Sequence, residues 1–150
     1  MAEESSIVSF TIEKPRNEVR LLVEARNIAA PSREWAVRFL RNIFEQDQLP
    51  QSEYFLLALR NQMYLWRRPT LEPGNPDFEA DTASELQRYL SKFKRPLDTL
   101  SKDSFEFLIQ IWLGDLIDGI LPVSGNHQWL TDSGLADSVR DCSLRFNLAA

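Results

Sequence analysis

Apolar residues recur along the chain with a rhythm that changes several times. Ile7 to Ile12 reads IVSFTI, β-branched and aromatic residues in partial alternation. That pattern predicts a short strand or an extended arm within residues 1–14. Pro15 stands where a helix can begin, since its missing N–H is no loss there. Asn17 to Ala30 is rich in helix formers, with Val19, Leu22, Val23 and Ile28 as inward positions. Pro31-Ser32 breaks that helix and caps the next. Ala36, Phe39, Leu40, Ile43 and Phe44 then follow the i, i+3, i+4, i+7 spacing of an amphipathic helix, with Glu34 in its first turn.

Leu49-Pro50 ends that pattern, and Ser52 can cap a third helix reaching about Arg67. Its apolar residues, from Tyr54 to Trp66, cover most of the circumference, which predicts a helix buried on several sides or lying in an interface. Residues 69–81 carry three prolines, a glycine and four acids, and read as a loop. Thr82-x-x-Glu85 is a capping-box pattern ahead of the stripe Leu86, Tyr89, Leu90 and Phe93. Ser101 can cap a fifth helix from Lys102 to about Leu121, with Phe105, Leu108, Ile109, Trp112, Leu113, Leu116, Ile117 and Ile120 inward. Pro122 to Asn126 reads as a loop, and a last helix is expected from about Ser133 to Phe146. The expected fold is mainly α: one bundle of five or six helices over residues 15–146, preceded by a short extended or β segment.

Composition sharpens the picture. With 150 residues, 43% apolar and 26% charged, the chain has the length and composition of one globular domain. Cys142 is the sole cysteine, so no intrachain disulfide can form, which fits the cytoplasm or another reducing compartment rather than secretion. The polar, acidic start, Met1 to Ser6, does not resemble a signal peptide. The longest apolar stretch, Phe105 to Leu121, is interrupted by Asp115 and Asp118 and is too short for a membrane span.

The net charge of −5 is unevenly distributed. Residues 14–68 hold ten Lys/Arg against six Asp/Glu, whereas residues 69–150 hold seven against thirteen. Opposite ends of this kind can meet head to tail between copies. The primary expectation is therefore a non-enzymatic interaction or assembly protein, an adaptor or homo-oligomer that engages a protein partner or itself. Its candidate contacts are Tyr64, Trp66, Arg67 and Arg68, together with the exposed part of helix 102–121.

The alternative is a binder or packager of single-stranded nucleic acid. Arg60, Arg67, Arg68, Arg88, Lys92, Lys94 and Arg95 stand close in sequence to Tyr64, Trp66, Tyr89 and Phe93. Phosphates pair with such charges and bases stack on such rings. The acidic total runs against this reading.

Catalytic and metal chemistry find little support. Asp115 and Asp118, three apart on one helix, could share a cation or a proton, but they also suit the polar stripe of a buried helix. His127, the only histidine, reads as a solvated loop residue, and nothing around Cys142 signals an activated thiolate. The five glycines form no nucleotide-binding pattern, and no cofactor is expected.

Ser104-Phe105-Glu106 followed by Trp112 resembles the FE…W ending of rod-shaped plant-virus coat proteins, which would imply a coat-like packaging role. The spacing is one residue short of that pattern, and 38 residues follow Trp112 where the family nearly ends. The family's arginine–phenylalanine–proline element is absent. The resemblance covers under a tenth of the chain.

Overall fold

The structure, a computed structural model, describes residues 9–14 and 18–146. It corrects the expected helical bundle. The chain folds as an α/β domain around a six-stranded mixed sheet in the order β5-β4-β3-β2-β1-β6. The strands are β1 (Phe10–Lys14), β2 (Glu18–Arg26), β3 (Tyr54–Leu59), β4 (Gln62–Arg67), β5 (Phe78–Asp81) and β6 (Ser143–Phe146). Only β2 and β3 run parallel, joined through helix α1 (Arg33–Gln46); every other neighbouring pair is antiparallel.

Two of the expected helical stretches are strands. The segment 17–30 holds β2, and 52–67 holds the β3–β4 hairpin, turned at Arg60-Asn61. The physical reason lies in burial. All six side chains of β3, YFLLAL, are buried, alternately against α1 and against the helices on the opposite face. A central strand covered on both faces needs a continuous apolar run, and such a run looks the same as a helix apolar all round. The expected loop 69–81 contains β5, and the expected last helix 133–146 divides into α6 (Leu135–Val139) and the edge strand β6. Among the described residues the N-terminal strand covers Phe10–Lys14, overlapping the end of the expected 7–12 segment. Ile7, Val8 and Pro15 fall outside the described residues.

The layers are unequal. On one face α1 packs alone, its Ala36, Leu40 and Ile43 against Leu22, Phe55, Leu57, Leu59, Tyr64 and Trp66. One helix suffices because that face turns polar toward β1 and β6, where Glu13 pairs with Arg145 at 2.6 Å and Glu24 pairs with Arg26. The other face carries α2 (Thr82–Glu85), α3 (Gln87–Phe93), a 3-10 turn (Leu97–Thr99) and α4 (Lys102–Ile117). A second 3-10 turn (Gly125–His127), α5 (Gln128–Asp132) and α6 complete that layer. Helix α4 is capped by Ser101, whose Oγ accepts from the Ser104 N–H at 3.1 Å. It buries Phe105, Leu108, Ile109, Trp112, Leu113, Leu116 and Ile117.

Candidate functional site

Two places on the helical layer depart from what packing alone requires. The first is a buried carboxylate. Asp81, not Thr82, caps α2: its Oδ2 accepts from the Ser84 N–H at 2.9 Å. Thr82 is instead buried and donates to the Leu59 carbonyl at 2.7 Å. Glu85 is thus released from a capping role, turns inward and is 1% exposed. Its Oε1 accepts from Trp129 Nε1 at 2.6 Å and its Oε2 from Trp112 Nε1 at 3.1 Å. His127 Nδ1 lies 2.9 Å from the same Oε2. The two indoles stack at 6.3 Å with an interplanar angle of 14°.

Against a carboxylate oxygen the ring presents its Nδ1–H, which turns Nε2 away from Glu85. A carboxylate orienting an imidazole is the arrangement that supports general bases. Among the described residues, however, no hydroxyl or thiol is bonded to His127, and no group of three His, Cys, Asp or Glu side chains could hold a metal ion. What the geometry does achieve is mechanical: it ties α2, α4, α5 and the turn before α5 to a single carboxylate.

One helical turn on, Tyr89 donates to Asp115 Oδ2 at 2.5 Å. Burial, then the bond to Asp115, pushes the Tyr89 phenol well above its usual range. Asp115 is therefore a partner in a second rung between α3 and α4. Asp118 is exposed at the C-terminal cap of α4. The structure gives the two aspartates different surroundings, so they form no paired site.

The second place is a groove. Phe107 projects from α4 and is 52% exposed. Beside it lies a groove of about 310 Å³ lined by Arg95, Leu100, Asp103, Ser104, Phe107 and Leu108. Leu108 and Leu100 are buried. Helix α3 ends at Lys94, which takes a left-handed conformation (φ 55°) and turns the chain toward the groove wall. Arg95 is held there by a hydrogen bond from its guanidinium to the Thr99 carbonyl at 3.1 Å. A smaller hollow of about 220 Å³ lies on α1, lined by Trp35, Arg38, Phe39, Arg41 and Asn42. There Trp35 stacks on Phe39 at 5.0 Å and Arg26 lies over the Phe39 ring at 5.4 Å.

The residues singled out from sequence fall in several places. Tyr64 and Trp66 are buried in β4 beneath α1, and the Trp66 indole donates to the Gly74 carbonyl at 2.8 Å. Arg67 is exposed, with its guanidinium over the Phe78 ring at 5.7 Å. Arg68 is exposed too and takes positive φ (50°). Arg60 sits in the hairpin turn at the other end of the strands, roughly 20 Å from Arg67 at about 3.3 Å per residue. Arg88, Lys92, Lys94 and Arg95 are exposed on or just after α3. The structure thus separates the sheet cations from the helix cations and buries three of the aromatics meant to lie among them, Tyr64, Trp66 and Tyr89. Cys142 is buried, its Sγ donating to the Ser138 carbonyl at 3.6 Å, and burial pushes its thiol up.

Glu85, Phe107 and the Trp35–Phe39 pair escaped the sequence reading. For Glu85 a signal existed: it lies four residues before Tyr89 and so shares the inward face of that helical pattern. Phe107 lay inside a stretch read as a core helix.

No family model, curated protein or solved structure matches the chain. Among the described residues no helix is long and apolar enough to cross a membrane.

Proposed function

We propose that this chain is a non-enzymatic protein-interaction module that receives an apolar side chain of its partner in the groove beside Phe107. The observation that carries the reading is Phe107 itself, a large aromatic left 52% exposed on a helix whose other apolar positions are nearly all covered. An aromatic bordering a concave apolar floor is the usual anchor of a protein contact. The groove lies on the helix that the sequence marked as a contact candidate, while Tyr64 and Trp66 leave the candidate set because they are buried. The lone, buried Cys142 suits work in a reducing intracellular compartment.

The test is selection from a random peptide library on wild-type protein and on Phe107→Ser. Recovered peptides that share a large apolar residue and lose binding to Phe107→Ser, with its melting unchanged, support the reading. Peptides that bind both proteins equally, or no recovery at all, overturn it. Light-scattering mass on the same samples distinguishes a second copy from a different partner.

A further inference from the structure

Resting on that reading of the groove, we infer that the partner is an acidic segment: an apolar anchor flanked by Asp or Glu on the side that meets α3 and Arg95. The chain as a whole carries −5, yet residues 88–102 hold five Lys/Arg and one Asp, for +4. All five cations, Arg88, Lys92, Lys94, Arg95 and Lys102, are exposed.

Six cations elsewhere among the described residues, Arg20, Arg26, Arg33, Arg41, Arg140 and Arg145, are ion-paired. Arg20 binds Glu53 at 3.0 Å, Arg33 binds Glu79, and Arg145 binds Glu13 at 2.6 Å. Among the described residues none of the five forms an ion pair; Arg88 lies over the Tyr89 ring at 5.7 Å and Arg95 reaches a backbone carbonyl. Charge of one sign collected beside an apolar groove and left without internal partners is complementary to an acidic ligand, and it speeds and orients the encounter. The opposite wall carries Asp103, with Glu106 on the same helix. The groove is therefore polar in the electrical sense, and the acidic flank has one preferred side.

The same cations could attract phosphates, but the groove favours a peptide. Tyr89, which the sequence places beside Arg88 and Lys92, is buried and offers bases no stacking platform. Leu100 and Leu108 form a floor suited to an aliphatic or phenyl group.

The experiment uses the full chain and three fluorescent peptide pools. Each pool fixes a central Phe or Leu and differs only in its flanks: Asp/Glu, Ser/Gly or Lys. An oligothymidylate is the fourth probe. The acidic pool is expected to bind about tenfold tighter than the neutral one, the effect of a few surface ion pairs together, and to lose that advantage in high salt. The double variant Lys94→Glu, Arg95→Glu should invert the preference toward the Lys-flanked pool, and Phe107→Ser should abolish binding of all three. Equal affinity for acidic and neutral pools, still lost in Phe107→Ser, overturns the charge inference and leaves the groove standing. No binding by any pool overturns both. Tighter binding of the oligothymidylate than of any peptide overturns the acidic partner in favour of nucleic acid.

Discussion

Glu85 and His127 are 42 residues apart in the chain and 2.9 Å apart in the fold. Their bond closes a network in which one buried carboxylate takes three N–H donors, two of them indoles. Burying a carboxylate is costly unless its oxygens are satisfied, and here the donors come from three different elements. The carboxylate therefore acts as the common acceptor about which α2, α4 and α5 are registered.

That geometry makes Glu85→Gln more damaging than its small change of shape implies. Indole N–H groups can only donate, and a glutamine amide has one donating and one accepting end. Either orientation of the amide turns its NH2 against the Trp112 or the Trp129 N–H. The imidazole can change tautomer, whereas the indoles cannot. The expected loss is about 3 kcal/mol, read as a lower urea midpoint by tryptophan fluorescence, with His127→Ala costing only about 1 kcal/mol because its ring is partly solvated. A Glu85→Gln midpoint equal to the wild-type value would sink this account of the network.

Gly134 is the next sensitive point. It adopts φ +81°, and a Cβ there would sit 2.9 Å from the Tyr54 hydroxyl. That hydroxyl already donates to the neighbouring Ser133 carbonyl at 2.7 Å. Gly134→Ala therefore meets backbone strain and a steric clash together, and is expected to cost about 2–3 kcal/mol. Gly134→Ala in a Tyr54→Phe background should recover part of this loss. Additive losses in the double variant would show that the clash plays no part.

The parts of this fold legible in sequence are those with local causes. Helices α1 and α4 form where Ser32 and Ser101 precede apolar residues at helical spacing, and both serines do accept from the third residue on. The sheet was hidden because its cause is not local. Glu18–Arg26 and Tyr54–Leu59 contain Leu, Ala, Glu and Arg, good helix formers, and become strands because each is buried between two layers the other segments supply. At the candidate site, Phe105 and Leu108 could be assigned inward from their spacing. The exposure of Phe107, and the distance of Arg95 from the sheet arginines, depend on where α3 ends and how the layer is laid out.

The tyrosines offer a pH test. The chain has three, and burial first of all pushes the phenols of Tyr54, Tyr64 and Tyr89 above the usual 10.0. A phenol whose folded value is raised contributes stability that is full below the unfolded value and is lost as pH rises through the folded one. Stability should thus hold up to about pH 10 and then decline. Tyrosinate absorbance should rise together with loss of the far-ultraviolet dichroism. A phenol that titrates freely near pH 10 in the folded protein would contradict the buried placement of these rings.

Cys142 provides a last test, of the packing between α6 and the edge strand. The thiol is 8% exposed and donates to the Ser138 carbonyl. Burial raises its pKa and outweighs the opposing pull of Arg20 and Lys14. Attack on a disulfide reagent requires the thiolate in contact with the reagent, so both access and ionisation are suppressed in the folded state. At pH 8 the native protein should react with an aromatic disulfide roughly 100-fold more slowly than the urea-unfolded chain, at a rate set by local opening. Cys142→Ser would leave a buried hydroxyl still able to reach the Ser138 carbonyl, so it should fold normally and remove the signal. Fast native labelling would mean that the α6–β6 corner opens readily, and that the final strand is held to β1 less firmly than its pairing from Phe10↔Phe146 to Glu13↔Ser143 implies.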